Sequence, residues 1–197
     1  MKRPDSDDLD IADMQLLASG REGALDNLMD RHAEKLHLYL FRCLQDEEDA
    51  ADLAQETFLR VYQHRGRYDS ARRFSTWLFA IAANLVKDRF RWRVRHPVDS
   101  MDADHEATGE GFAQNLPIEG PSPSEDLQHQ ERSRAVLRAI SNLPDELRQP
   151  LILAEYAEHS QAEIAVILGC TVKAVETRIY RARRRLRADL IDLLPVL

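Results

Sequence analysis

The chain has 197 residues and a formal net charge of −7, from 27 Lys and Arg against 34 Asp and Glu. Hydrophobic residues make up 44% of it, enough for a core, but no apolar run approaches the about 20 residues that a membrane span needs. Cys43 and Cys170 lie too far apart to predict a disulfide scaffold or a zinc site, and the Asp-rich start of the chain is unlike a signal peptide. We therefore expect a cytoplasmic protein with no membrane insertion, no metal and no cofactor.

Residues 1–96 predict one helical domain. No proline occurs between Pro4 and Pro97, and hydrophobic residues recur at helical spacing. The predicted helices span about residues 10–19, 22–44, 46–65 and 73–95. The break near residues 44–46 is weak, whereas the polar stretch 66–70 predicts a loop.

Residues 97–124 differ from both flanks. They hold four prolines and three glycines, few apolar residues and no periodic pattern. Residues 97–131 also carry nine acidic side chains and no basic one. This composition predicts a flexible acidic linker that joins two bodies without requiring them to touch.

Residues 125–197 predict a second helical domain. Pro144 suits the start of a helix that runs to about residue 158. Ser160 and Glu163 form a capping box ahead of the next helix, and Gly169 is suited to its end. Thr171 caps a last helix that runs to about residue 192. Strand alternation is absent, so we predict an all-α protein.

The last two helices have the length and the short turn of a helix-turn-helix. Inner positions of the second helix are apolar, and its outer face is polar and basic. Arg181 can pair with guanine and Glu176 with the cytosine amino group, whereas Arg185 is better placed for phosphates. Six arginines between residues 178 and 187 exceed what a solvated helix end requires. DNA binding is therefore favoured, despite the overall acidity, because phosphates respond to local charge.

The N-terminal domain carries two further polar faces. Asp49, Asp52 and Glu56 share one face of a helix, which indicates either a basic protein partner or a solvated surface. A second face, on the helix 73–95, is polar and basic. The loop before that helix contains arginines and aromatic rings, which suit single-stranded nucleic acid because bases stack on rings and phosphates pair with arginine. Phe74 can equally be a core residue.

Three segments resemble known motifs. DAADLAQETFLRVY at 49–62 looks like the core-polymerase-binding motif of bacterial sigma factors. FSTWLFAIAAN at 74–84 looks like their promoter-melting segment, and Leu143-Pro144 with the following helix-turn-helix looks like their C-terminal domain. In this order and in so short a chain, the motifs resemble those of the extracytoplasmic-function sigma factors.

This resemblance implies region 2-like and region 4-like domains that recognise −10 and −35 promoter elements, with no catalytic chemistry in the chain. Implied partners are the beta-prime clamp helices and beta subunit of RNA polymerase core, promoter DNA and an anti-sigma factor. Core binding would use Asp49, Asp52, Gln55 and Glu56. The −10 element and melting would use Phe74, Ser75, Asn84, Lys87, Asp88, Arg91 and Arg95, with Phe74 and its loop holding a flipped base. The −35 element would use Lys173, Glu176, Thr177, Tyr180, Arg181, Arg184 and Arg185.

Two other classes stay open on the sequence. A free-standing regulator would bind duplex operator DNA without polymerase, but residues 1–95 show no obvious ligand-binding or dimerising domain. A site-specific recombinase would need a nucleophile, and Ser75 and Tyr68 lack a surrounding catalytic set. Glu176 stands where the family commonly has a basic residue, so we do not expect the usual −35 sequence of the family to apply to this chain.

Overall fold

The computed structural model describes residues 6–96 and 123–191, and the side chains of 6–96 and 132–191. Within these ranges the regular structure is entirely helical, which confirms the all-α prediction. The helices are α1 (Ser6–Ala18), α2 (Ala24–Leu44), α3 (Glu47–Gln63), α4 (Phe74–Arg95), α5 (Pro123–Ser141), α6 (Asp145–Glu155), α7 (Gln161–Leu168) and α8 (Val172–Asp189). A short 3₁₀ turn, Arg65–Arg67, follows α3. The linker prediction falls mainly on residues 97–122, outside the described ranges.

Helices α1–α4 form the N-terminal half, in which α2 is central. It packs against α1, α3 and α4, and its Leu28, Leu36, Tyr39 and Leu40 have no exposed surface. The Tyr39 ring meets the ring of Phe79 from α4 edge to face, with centroids 5.3 Å apart. These contacts fix α4, whose outer surface carries many of the predicted DNA-binding residues.

The weak break predicted near residues 44–46 is a sharp helix boundary. Gln45 adopts a left-handed conformation with φ of 56°, which ends α2. Asp46 then caps α3, because its carboxylate accepts a 2.9 Å hydrogen bond from the backbone N–H of Asp49. The acidic start of α3 is therefore set by a local capping interaction.

Helix α1 starts earlier than predicted and is held by buried charge. Its Asp10 is 1% exposed and accepts 2.8 Å contacts from both Arg31 Nε and His32 Nε2 of α2. Arg31 Nη2 also lies 2.5 Å from Asp13. The acids at the start of the chain thus include structural groups as well as solubilising ones.

Helices α5–α8 form the C-terminal half, where the predicted helix signals are confirmed. Ser160 and Glu163 make the reciprocal capping box at the start of α7, and Gly169 ends it with φ of 65°. The Thr171 hydroxyl accepts a hydrogen bond from the backbone N–H of Ala174. Helices α7 and α8 pack on α6 around a core that includes Ile152, Ile164, Val175 and Ile179.

The two halves pack against each other. Helix α7 lies on α4, while α5 and α6 contact α2, and one continuous cluster of buried apolar side chains runs through both halves. The composition of the linker permits such a contact between the halves but does not require it. Here it places the helix-turn-helix directly beside the basic helix of the N-terminal half.

Replacement of Asp10 with alanine should lower the free energy of unfolding by about 3–5 kcal/mol, because Arg31 and His32 would lose a buried charged partner. Asp8 lies on the same helix but is exposed, so Asp8→Ala should change that free energy by less than about 0.5 kcal/mol. Urea unfolding followed by circular dichroism measures both. Equal stability of the two variants would contradict a structural role for Asp10.

Candidate functional site

The predicted acidic face of α3 divides into two groups of residues. Asp52 and Gln55 are exposed. The Asp49 side chain is only 13% exposed, because its carboxylate lies between Arg89 and Arg93 of α4, with Arg93 Nη2 2.6 Å away. Asp49 therefore joins α3 to α4 and has little surface to offer a partner.

Glu56 also has a partner within the chain. Its carboxylate lies 2.7 Å from Arg60 Nε one helical turn further along, and both side chains are 38% exposed. The sequence reasoning missed Glu48 and Leu59, which are exposed and follow the same stripe as Asp52 and Gln55 at helical spacing. We call Glu48, Asp52, Gln55 and Leu59 the α3 stripe. Leu59 could have been found from the sequence, because it lies opposite the apolar face of α3.

A second exposed stripe runs along α4. Asn84, Asp88, Arg91 and Arg95 recur at spacings of four, three and four residues and are all exposed. Lys87 is half-buried, because its ammonium lies 3.4 Å from the carbonyl oxygen of Leu168 at the end of α7. The structure thus brings four of the seven predicted −10 residues together and turns Lys87 towards the C-terminal half.

Of the two roles that the sequence leaves open for Phe74, the structure gives it the core one. Its ring has no exposed surface and packs among the rings of His32, Tyr68 and Trp77, with centroids 5.1–6.3 Å away. A fully covered ring has no face on which a base can stack, so in this arrangement Phe74 is a core residue. Ser75, at the start of the same helix, is half-buried.

The loop before α4 is held by ion pairs. Arg73 is exposed, and its guanidinium lies 2.8 Å from Asp7 of α1 and 3.0 Å from Glu163 of α7. The Tyr68 hydroxyl donates a 2.8 Å hydrogen bond to the carbonyl of Arg72. Because the Phe74 ring is fully covered, it can contact a base only if its surroundings move.

Helix α8 presents the predicted −35 residues on its outer surface. Exposed members are Lys173, Tyr180, Arg181, Arg184 and Arg185, and half-buried members are Glu176 and Thr177. Lys173 Nζ lies 2.9 Å from Glu176, and the Thr177 hydroxyl donates to the carbonyl of Lys173. Arg183 points elsewhere and pairs with Glu155 of α6 at 2.5 Å, so it braces α8 against α6.

Neither cysteine is exposed. Cys43 is fully buried, and this burial raises the pKa of its thiol to about 12. Cys170 is half-buried at the turn of the helix-turn-helix. Across residues 6–96 and 123–191 there is no group of three potential metal ligands, and no helix long and apolar enough to cross a membrane.

Comparison with known proteins identifies both halves. Residues 28–96 match the family model described as Sigma-70 region 2, and residues 133–186 match Sigma-70, region 4. The chain is 35% identical to the ECF RNA polymerase sigma factor SigW of Bacillus subtilis over 175 residues, covering 88% of this chain and 92% of SigW. It is 33% identical to the RNA polymerase sigma-H factor of Pseudomonas aeruginosa, covering 92% and 95%.

Among solved structures, CnrH in complex with the cytosolic domain of CnrY is similar to this chain. The TM-score is 0.67 at 27% identity, and the alignment covers 94% of this chain and 99% of CnrH. The sigma factor RpoE of Bartonella quintana, solved with the anti-sigma factor NepR, shares the fold with a TM-score of 0.63 at 21% identity.

Alanine substitutions of Asp49 and Asp52 in α3 should differ in their effect on the free energy of unfolding. Asp49→Ala removes the carboxylate that pairs with Arg89 and the nearer of the two that pair with Arg93, and should lower the free energy of unfolding by about 2 kcal/mol. Asp52→Ala removes an exposed side chain and should change it by less than about 0.5 kcal/mol. Urea unfolding measures the difference. A larger loss for Asp52→Ala than for Asp49→Ala would contradict the structural role of Asp49.

Proposed function

The chain belongs to the extracytoplasmic-function (ECF) family of RNA polymerase sigma factors, and we propose that it binds core polymerase through the α3 stripe. As a sigma factor, it binds RNA polymerase core and directs transcription initiation at specific promoters. We propose residues 1–96 as the region 2-like domain, residues 97–124 as an acidic linker and residues 125–197 as the region 4-like domain.

The core-binding proposal rests on the difference in exposure and pairing among the polar residues of α3. Asp52 and Gln55 are exposed, whereas Asp49 and Glu56 are already paired within the chain. A free carboxylate can form charge-assisted hydrogen bonds with a basic partner, and Leu59, 48% exposed, adds apolar area beside it. We assign the direct contact with the beta-prime clamp helices to the α3 stripe. Asp49 and Glu56 act by holding α3 in shape.

Promoter contacts are assigned to two helices. The α4 stripe, formed by Asn84, Asp88, Arg91 and Arg95, offers two exposed arginines for phosphates. Its Asn84 and Asp88 side chains can hydrogen-bond to bases at the −10 element. On α8, Lys173, Thr177, Tyr180 and Arg184 recur along one face, and Arg181 lies beside it, as major-groove readout of the −35 element requires. Arg185 lies off this face and suits phosphate binding.

Three further assignments follow from the family. We propose that an anti-sigma factor binds this chain, as the anti-sigma factor NepR binds RpoE in their solved complex. We place the protein in the cytoplasm, where polymerase and promoter are. We also propose that it supplies no catalytic group, since the polymerase performs nucleotide addition.

The core-binding assignment is tested by co-purification with bacterial core RNA polymerase. Asp52→Ala/Gln55→Ala/Leu59→Ala should weaken core binding by about ten-fold or more, because truncation of an interface anchor costs about 1–2 kcal/mol. Asp30→Ala/Glu34→Ala removes more charge, from the exposed surface of α2, and should bind as the wild type does. Wild-type affinity of the triple variant would overturn the α3 stripe as the binding surface.

The promoter assignment is tested with the reconstituted holoenzyme on a library of −35 sequences. Arg181→Ala should cost about 1–3 kcal/mol at one base position and relax the preference there. Arg185→Ala should weaken binding evenly across sequences and lower its salt dependence. A uniform effect of Arg181→Ala would show that this arginine binds phosphate only.

A further inference from the structure

Helix α1 contacts the loop before α4, which comprises residues 68–73. Asp7, in the first turn of α1, lies 2.8 Å from Arg73 Nε at the end of this loop, and the two side chains are 31% and 52% exposed. Helix α1 also contacts α4 and the 3₁₀ turn Arg65–Arg67. It therefore lies beside both ends of the loop, although about 50 residues or more separate them in the sequence.

A second acid of α1 reaches the same segment through a buried histidine. Asp10 accepts a 2.8 Å hydrogen bond from His32 Nε2, and this bond fixes the orientation of the imidazole ring. The His32 ring packs against the ring of Phe74, the first residue of α4, with centroids 5.1 Å apart. Asp10 is 1% exposed and His32 is 8% exposed, so neither can turn out to water. Through His32, Asp10 therefore helps to fix the position of Phe74.

The acids of α1 also lie near Tyr68, the first residue of the loop. Burial, with the carboxylates of Asp10 and Asp7 next in effect, raises the pKa of Tyr68 to about 12. Its hydroxyl therefore stays protonated and donates a 2.8 Å hydrogen bond to the carbonyl of Arg72. The Tyr68 ring meets the Phe74 ring edge to face, with centroids 6.1 Å apart. The start of the loop thus packs on the residue that follows its end.

The loop itself has little apolar surface to bury. Residues 69–73 are all exposed. The backbone N–H groups of Ala71 and Arg72 donate 3.0 Å hydrogen bonds to the Asp69 side chain and carbonyl, and these bonds close a turn within the loop. A loop that is ordered before its ligand arrives loses less conformational entropy on binding. The contacts from α1 supply such order from outside the loop.

We propose that α1 is a positioning element for promoter melting. In the sequence, Phe74 and its loop resemble the segment that melts promoter DNA, so this step rests on the proposed function. Asp7 is one positioning residue, because it holds Arg73. His32 is the other, because it holds Phe74 while Asp10 orients it. Phe74 then supports the loop as a core residue, and the exposed residues 69–73 are the part that can meet DNA.

Positioning is tested by transcription from a promoter that the wild-type holoenzyme selects from a library. The promoter is prepared as a full duplex and, separately, with mismatched bases from the −10 element to the start site. Asp7→Asn keeps the size of the side chain and removes its charge, and should lower initiation on the duplex about three-fold, as loss of one part-exposed ion pair can. On the pre-melted promoter it should initiate as the wild type does, because the strands are already separated.

Two variants are controls for Asp7→Asn. Asp7→Glu keeps a carboxylate and should retain most of the duplex activity. Asp8→Asn removes a charge from an exposed site on the same helix and should match the wild type on both promoters. An equal loss on both promoters in Asp7→Asn would mean that Asp7 serves only the fold or core binding. Higher duplex activity would mean that Asp7 competes with DNA phosphates for Arg73, and either result would overturn the proposal.

His32→Gln tests the contact with Phe74. Glutamine can still donate an N–H to Asp10 but offers no ring to Phe74. Initiation on the duplex should fall about five-fold, as loss of one aromatic contact can, and initiation on the pre-melted promoter should not change. Circular dichroism and co-purification with core polymerase check that the variant is folded. If it is unfolded, the Asp7→Asn comparison decides the proposal alone.

Hydrogen exchange on the free chain tests the hold of α1 on the loop without polymerase. Asp7→Asn should speed exchange of the amides of residues 66–74 about two-fold or more and leave those of α8 unchanged, whereas Asp8→Asn should change neither. Unchanged exchange in the loop of Asp7→Asn would overturn the proposal. Failure of the wild-type holoenzyme to initiate on either promoter would instead contradict the proposed function, and the exchange rates would still decide whether α1 holds the loop.

Discussion

The carboxylate of Asp49 determines which basic side chains of α4 face α3 and which remain on the outer surface. Arg89 and Arg93 turn towards α3 to meet it, while Arg91 and Arg95 remain on the outer surface with Asn84 and Asp88. These ion pairs fix the position of α3 relative to α4, and so fix the surface proposed for core binding relative to the surface proposed for −10 DNA. A movement of α3 on polymerase binding would therefore move α4 as well. This is a physical reason for placing the two functions on adjacent helices of one small domain.

Much of the architecture could be predicted because its signals are local. The capping box of Ser160 and Glu163, the left-handed Gly169 and the cap of Thr171 each act within four residues, so the sequence alone marks the helix-turn-helix. The outward direction of the α4 and α8 residues follows equally from helical spacing. The exposed members of each predicted site therefore lie together in the structure. Their roles in binding are still predictions.

The rest could not be predicted because it depends on partners distant in the sequence. Asp49, Asp52 and Glu56 look equivalent on a helical wheel, and only the position of α4 shows that Asp49 is a packing residue. Asp10 likewise looks like one of several solubilising acids until Arg31 and His32 surround it. The sequence allows Phe74 either a core position or a base contact, because an aromatic residue at the start of a helix suits both. Tertiary packing decides such cases, and helical periodicity carries no information about it.

Local basic charge also overstates the capacity to bind DNA. Residues 57–96 carry ten basic side chains against two acidic ones, yet Arg60, Arg73, Arg89 and Arg93 all form ion pairs with carboxylates elsewhere in the chain. Those pairs stabilise helix packing and hold the loop before α4, so fewer cations remain to displace counterions from phosphates. The salt dependence of promoter binding follows the number of phosphates that are contacted. It should therefore track exposed arginines such as Arg95 and Arg91, of which Arg91 makes only a 3.4 Å contact with Asp88 of its own helix. The number of cations that folding leaves exposed, more than the amino-acid composition, therefore determines how strongly this acidic protein can bind DNA.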